Sequence, residues 1–222
     1  MEPSAFAKWL DSAFAGFDYS ILNFYHTLAE NGGAVFTPIM DALSFVGELG
    51  AVGLITGIIL MLFKKTRRAG FSMLLAVGIG AIFTNLTIKD LVARARPFQS
   101  GNADYAVWWS FVGSPEVSEF SFPSGHVTAA ASAMTALCIT QKPRWIIAPA
   151  ALYVVLMMAA RNYLMVHYPT DVIAGLFVGA TAGVISFFAV MGLWKLVQKY
   201  KNKKFFAFVL EADVRSLFAK NK

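Results

Sequence analysis

Val172-Ile173-Ala174-Gly175-Leu176-Phe177-Val178-Gly179-Ala180-Thr181-Ala182-Gly183 opens a run of 23 residues, ending at Trp194, that contains no Asp, Glu, Lys, Arg or His. About 20 apolar residues suffice to cross a hydrocarbon core as a helix. Four further segments qualify, approximately Leu43 to Phe63, Gly70 to Leu91, Val127 to Ile139 and Trp145 to Ala160, the third beginning near Ser124. Backbone polar groups in lipid must be satisfied within the segment, which here means helices. The expected fold is all-α, a multi-span transmembrane helical bundle of five to six spans. Gly175, Gly179 and Gly183 recur at steps of four and permit close helix approach, within one chain or between copies. They do not fix an oligomeric state.

The 222 residues are 57% hydrophobic and only 14% charged, which excludes an ordinary soluble domain. The first residues, Met1 to Leu10, carry Glu2, Pro3 and Lys8 before any apolar run, unlike a cleaved signal peptide. One cysteine, Cys138, cannot form an internal disulfide and gives no support to thiol chemistry. The net charge of +6 is concentrated at one end: eight of the nineteen Lys and Arg lie between Lys195 and Lys222. Lysines beside a span suit anionic inner-leaflet lipids and argue against nucleic acid as the partner.

Ahead of the first span, Phe6, Leu10, Phe14, Phe17, Ile21, Phe24 and Leu28 recur at three- and four-residue steps, with Asp11, Asp18 and Asn23 interleaved. This pattern predicts an N-terminal amphipathic helix over residues 4–30 lying in the interface. Gly32-Gly33 and Pro38 are expected to break it. The chain thus divides into an interfacial segment (1–42), a spanning core (43–194) and a basic tail (195–222). Lys64, Lys65, Arg67, Arg68, Lys142, Arg144 and the tail fall on one side, which the positive-inside rule makes cytoplasmic. The N-terminal region, the 93–122 loop and the turn at His167 then lie outside. Tyr105, Trp108 and Trp109 in that loop, and Trp145 and Trp194 at span ends, read as interfacial anchors.

Three clusters of ionisable residues share that outer side, and charge at membrane depth is by default functional. The first is Lys89 with Arg94 and Arg96-Pro97. The second is Pro123-Ser124-Gly125-His126, where Ser124 is placed as the N-cap of an alanine-rich helix. The amides of Gly125 and His126 would face outward as an anion site. In the third, Arg161 precedes His167, and Asp171 follows in the first turn of the last span. A carboxylate bonded to one imidazole nitrogen fixes the tautomer and leaves the other nitrogen free as nucleophile or base. Snorkelling or capping accounts for each cluster singly, but the set of cations, helix-start amides, two histidines and one carboxylate describes a phosphoryl site.

These three clusters, in this order, resemble the signature of the type 2 phosphatidic acid phosphatases, a family related to vanadium-dependent haloperoxidases. The resemblance covers about residues 43 to 194 and leaves both terminal segments without a signature. It implies a membrane lipid phosphatase in which His167 attacks phosphorus, Asp171 orients it and His126 protonates the leaving oxygen. Lys89, Arg96, Ser124, Gly125 and Arg161 would hold the phosphate, with no metal or cofactor. It further implies a multi-pass protein of a bacterial-type cell membrane whose substrate is a phosphorylated lipid entering from the bilayer. Undecaprenyl diphosphate leads; phosphatidylglycerol phosphate and phosphatidic acid are the alternatives. The chain departs from the family in having Ala160 where a serine is usual, which removes a potential hydrogen bond. Family members commonly have six spans against the five counted here.

Two other classes use the same residues. A lipid-phosphate binder or transporter would need the cations but not a nucleophile and an acid. A metalloenzyme would use His126, His167 and Asp171 as ligands, but neighbouring cations repel a divalent ion and no short two-histidine motif is present.

Overall fold

The computed structural model describes residues 2–216, and these contain helices joined by turns and loops, with no strand among them. The last residues of the basic tail, 217–222, lie outside the described part. The chain begins with α1 (Ala5–Ala13), whose first turn is capped by Ser4, its hydroxyl accepting from the Ala7 amide at 3.1 Å. After a break at Phe14, α2 runs from Ala15 to Val46.

That length corrects the expectation of a break at Gly32-Gly33 and Pro38. Only Gly32 leaves the helical region (φ −148°, ψ 18°), and the helix continues through Pro38. Tertiary contacts hold the part of the helix beyond the kink. The Thr37 and Tyr163 hydroxyls meet at 2.7 Å, and Met40 and Leu43 pack into the apolar cluster around Tyr163 and Leu164. The real interruption comes at Gly47, where a short 3₁₀ turn, Glu48–Gly50, leads into α3 (Ala51–Met61). Leu49 and Gly50 there have positive φ (52° and 72°), and the α2–α3 pair bends by 46°. The expected span from Leu43 is therefore a bent one.

α4 (Arg67–Phe83) returns and passes through a π-helical turn, Thr84–Ile88, into the single turn α5 (Lys89–Val92). The loop after α5 contains α6 (Ala103–Phe111). Then follow α7 (Gly125–Gln141), α8 (Arg144–Tyr163), α9 (Pro169–Lys199) and α10 (Lys204–Glu211). Among the described residues three helical stretches are able to cross a bilayer by length and composition, Arg67–Gln99, Trp145–Tyr163 and Pro169–Lys199, or four if the bent α2–α3 pair counts as one span. The protein is a multi-pass membrane protein. The 17 residues of α7 measure about 25 Å. That helix is flanked by α4, α8 and α9 rather than by lipid, which explains its alanine, serine and threonine content.

The glycine stripe of α9 turns inward onto α7, so its close approach serves this chain's own packing. A Cβ on Gly175 would stand 2.8 Å from the Ser124 carbonyl oxygen, and one on Gly183 2.8 Å from that of Ser132. Because the first turns of α7 and α9 are pressed together, the Ser124 amide donates to the Asp171 carbonyl at 3.1 Å. The packing seam thus sets the spacing of two of the three sequence clusters.

Two expectations about aromatic residues change. Tyr105 and Trp108 are buried, Trp108 stacking on His26 at a centroid distance of 5.1 Å. Trp109 stacks on Phe98 at 4.3 Å. These residues pack protein against protein instead of anchoring it in lipid, because α6 folds back under α2 and the His167 turn. At the opposite end Arg67 is buried and donates to the carbonyls of Met61 (2.8 Å), Val209 (2.6 Å) and Ala212, closing the last turn of α10.

If the seam is as tight as this, Gly183→Val must force α7 and α9 apart and cost about 1–3 kcal/mol. Thermal unfolding in detergent checks it. Gly192→Ala, whose added Cβ meets nothing within 4 Å, should leave the midpoint unchanged or slightly raised, and equal midpoints for the two variants would contradict the packing described.

Candidate active site

All three clusters meet at one end of the bundle, around a cavity of about 710 Å³ lined by Lys89, Arg96, Gly125, His126, Arg161 and His167. Lys89 arrives there through the π-helical turn, a local under-winding of the helix, and Asn85 in the same turn also faces the cavity. Its ammonium is buried, 5% exposed, and pairs with the Glu119 carboxylate. Arg96 follows in extended conformation. Its Nε donates to the Glu119 carbonyl at 2.8 Å and its Nη1 to the Val166 carbonyl at 2.6 Å. Two backbone acceptors on different loops thereby fix the guanidinium plane.

The same Nη1 lies 3.3 Å from Nε2 of His167. A guanidinium only donates, so in this contact Nε2 is the acceptor, its lone pair toward Arg96 on the cavity wall, and the ring proton resides on Nδ1. This tautomer is assigned from the network. Nδ1 faces the Ser121 hydroxyl at 3.4 Å and Asp171 Oδ2 at 3.6 Å. Asp171 Oδ2 also accepts from Ser121 Oγ at 2.5 Å and from the Tyr168 amide at 2.9 Å. Burial, and next the Arg96 cation, hold the His167 imidazole well below its ordinary pKa, against the opposing pull of Asp171.

Arg161 ends α8, with Nη1 donating to the Ser44 hydroxyl of α2. Ala160 is fully buried in the apolar cluster. The hydroxyl that Arg161 meets comes from α2. Ser124 occupies the N-cap position of α7 but makes no side-chain cap bond. Its Oγ and Arg161 Nε are buried without a hydrogen-bond partner among the described residues; Arg161 lines the cavity and Ser124 does not. Gly125 presents only backbone: a Cβ there would stand 3.3 Å from Asn85 Oδ1 and 3.8 Å from Lys89 Nζ.

Every residue expected at the site is at this end of the bundle, but two are off the cavity wall: Asp171 lies behind His167, and Ser124 is buried at the start of α7. Arg94 is the exception among the cations: it turns away from the cavity into a cluster of carboxylates. Residues not anticipated are Glu119, Asn85, Ser44 and Ser121. Only Glu119, a charge in an outer loop near the cations, and Ser121, two residues before Pro123, left any trace in sequence. Among the described residues no three His, Cys, Asp or Glu side chains are grouped to hold a metal ion.

Comparison with known proteins bears on this geometry. The family profile described as the PAP2 superfamily matches residues 68–201, and the chain belongs to that superfamily. An undecaprenyl-diphosphatase of Sulfolobus acidocaldarius is 30% identical over 58% of this chain and 58% of its own length. The phosphatidylglycerophosphatase B of Bacillus subtilis is 25% identical over 73% of this chain and 79% of its own. A decaprenylphosphoryl-5-phosphoribose phosphatase of Mycolicibacterium smegmatis is 39% identical over 60% and 68%. The chain therefore spans between about three fifths and four fifths of these relatives' lengths. Among solved structures, a transmembrane PAP2-type phosphatidylglycerolphosphate phosphatase from Bacillus subtilis superposes with a TM-score of 0.63 at 23% identity, covering 87% of this chain and 92% of that one. Aquifex aeolicus LpxE gives 0.51 at 20% identity, covering 74% and 93%. Both share the fold.

Removing the Ser44 hydroxyl leaves the Arg161 guanidinium without its side-chain hydrogen-bond partner among the described residues. Ser44→Ala should weaken inhibition by inorganic phosphate roughly tenfold, the scale of one hydrogen bond to a charged group, and Ser44→Thr should restore it. An unchanged inhibition constant would show that α2 has no part in holding Arg161.

Proposed function

We propose that the protein is a metal-independent lipid phosphatase acting through a phosphohistidine. The observation that carries the reading is the position of His167 Nε2, 3.3 Å from Arg96 Nη1 on the wall of a cavity that also holds Lys89, Arg161 and His126. A phosphoryl group bound by these cations and by the Gly125 and His126 amides would present phosphorus to Nε2. As the N–P bond forms and the P–O bond to the lipid breaks, His126 gives its proton to the leaving oxygen. Water then attacks the phosphohistidine, His126 recovers a proton from it, and inorganic phosphate leaves. Charge developing on the equatorial oxygens meets donors already in place. Ser121 and Asp171 take the Nδ1 side and keep the tautomer.

The cavity continues from the cations to apolar walls, Leu49, Val77, Ala81 and Ala129 among them, between the 3₁₀ turn and α4. Leu49 is 86% exposed at its edge. That gap suits an acyl or isoprenyl chain arriving from the bilayer. Undecaprenyl diphosphate remains the preferred substrate, supported by two relatives named for polyprenyl phosphates. Phosphatidylglycerol phosphate, favoured by another, and phosphatidic acid are the alternatives. The basic turn at Lys64–Arg68 and the tail at the opposite end support an outward-facing site, with anionic inner-leaflet lipids at the tail.

Phosphate release by purified protein in detergent with EDTA tests this, comparing undecaprenyl diphosphate, a decaprenyl phosphosugar phosphate, phosphatidylglycerol phosphate and phosphatidic acid. Release should survive the chelator and vanish in His167→Ala. Retained phosphate-lipid binding with no release from the wild-type protein would favour a binder. The pH dependence has a definite sign. His167 must be unprotonated to attack, and its pKa lies below the ordinary imidazole value of about 6.5. The acid limb of kcat/KM should therefore fall below pH 6.5 and not above it.

A further inference from the structure

Arg94 lies within the first cluster in sequence but does not line the cavity, and among the described residues it is the largest fully buried side chain, 1% exposed. Its guanidinium joins three segments distant in sequence. Nη1 donates to Asp171 Oδ1 at 2.6 Å and to Thr170 Oγ1 at 2.7 Å. Nη2 donates to Asp18 Oδ2 at 3.0 Å and Nε to Asp11 Oδ1 at 2.8 Å. One face lies 3.9 Å from the centroid of the Tyr168 ring. Asp18, from α2, takes hold of the start of α9 itself, accepting from the Thr170 amide at 3.0 Å and from its hydroxyl at 2.8 Å.

We propose that Arg94 and Asp18 are positioning residues for phosphoryl transfer, through which the N-terminal helices α1 and α2 hold Asp171, and with it the His167 ring, in the attacking orientation. This rests on the phosphatase reading given above. Each oxygen of Asp171 is committed: Oδ1 to Arg94, Oδ2 to Ser121 and the Tyr168 amide. The carboxylate plane cannot rotate without breaking one set, so the Nδ1 side of His167 sees a fixed acceptor. Docking of a helix does not in itself call for such a cluster, since taking an ionic group out of water is costly and apolar packing does as well. What the ionic cluster adds is orientation and charge at Asp171.

The charge has a readable consequence. Asp171 faces His167 from α9, Arg96 from the loop after α5, Arg161 from the end of α8, with the neutral Ser121 beside it; Lys89 and His126 share the cavity. Arg94, Asp18 and Asp11 stand behind Asp171. Arg94 offsets part of the carboxylate charge that favours an imidazolium, and Asp18 adds to that charge. Neutralising the two residues therefore moves the protonation of His167 in opposite directions.

The experiment measures kcat, KM, the pH profile and vanadate inhibition for wild type, Arg94→Gln, Arg94→Lys and Asp18→Asn, with phosphate release from the best lipid substrate as the assay. Arg94→Gln should lower kcat roughly hundredfold, the scale of a misplaced reacting group, and weaken vanadate inhibition by a similar factor. Its KM should change by less than about threefold, because the phosphate-holding cations stay. Its acid limb should move up by about half a pH unit or more, and that of Asp18→Asn should move down. Arg94→Lys should restore the wild-type limb while leaving kcat reduced, separating charge from fork geometry. If Arg94→Gln does not fold, the lysine and asparagine variants decide by the same limbs. Acid limbs that stay together, or a loss of kcat matched by an equal rise in KM, would overturn the proposal. Wild type that releases no phosphate from any lipid would overturn the phosphatase reading and this one with it; an active wild type with variants of unaltered kcat would overturn this one alone.

Discussion

Three cations converging on one cavity repel one another, and the end of the bundle is built around that constraint. Lys89, Arg96 and Arg161 are all buried, with carboxylates of their own only at the cavity rim, chiefly Glu119 on Lys89. Such an arrangement cannot be left to flexible side chains. Each cation is therefore held by neutral or single-charge partners: two loop carbonyls for Arg96, a hydroxyl for Arg161, one rim carboxylate for Lys89. The outcome is a concentration of donors with spare capacity, preorganised for a tetrahedral oxyanion.

Holding that geometry requires that the helices carrying it do not slide. The seam of small residues between α7 and α9 provides this, because glycine brings backbones close enough for the two helix starts to bond directly. Ser124, Gly125 and His126 sit on one side of the bond, and Asp171 on the other. Membrane helices gain little from burying apolar surface against each other in lipid, so close packing and interhelical hydrogen bonds must carry the association. The glycine seam near the middle of α9 and the catalytic geometry at its start are parts of one packing solution.

Much of this was legible in the sequence, for identifiable reasons. Four of the five expected spans announced themselves by their apolar runs, the fifth, Val127 to Ile139, being the packed α7 and not among the helices able to cross, and the site residues by being ionisable where ionisation is costly. Pro123, Ser124 and Pro169 marked helix starts through local chemistry. What stayed hidden depended on tertiary contact. No local signal pairs Ser44 with Arg161 across 117 residues, and none tells Arg94 from Arg96, two residues apart and turned in opposite directions. Gly32 and Pro38 carried a correct local preference for a break, which contacts to α8 overrode. Trp108 looked like an anchor because aromatic content was visible and its partner His26 was not.

The N-terminal segment unites these themes. Its periodicity was read as one apolar face for the membrane with polar residues on the other side, and the fold gives the polar side an occupation. Phe6, Trp9, Phe14, Phe17 and Phe24 remain exposed, while Asp18 is buried against Arg94 and Thr170, and Asp11 reaches the same guanidinium. A helix whose apolar face meets lipid can place a carboxylate behind the site only if its polar face meets protein, and amphipathicity supplies both faces at once. A segment without any signature residue is thus tied, through one arginine, to the carboxylate that faces His167.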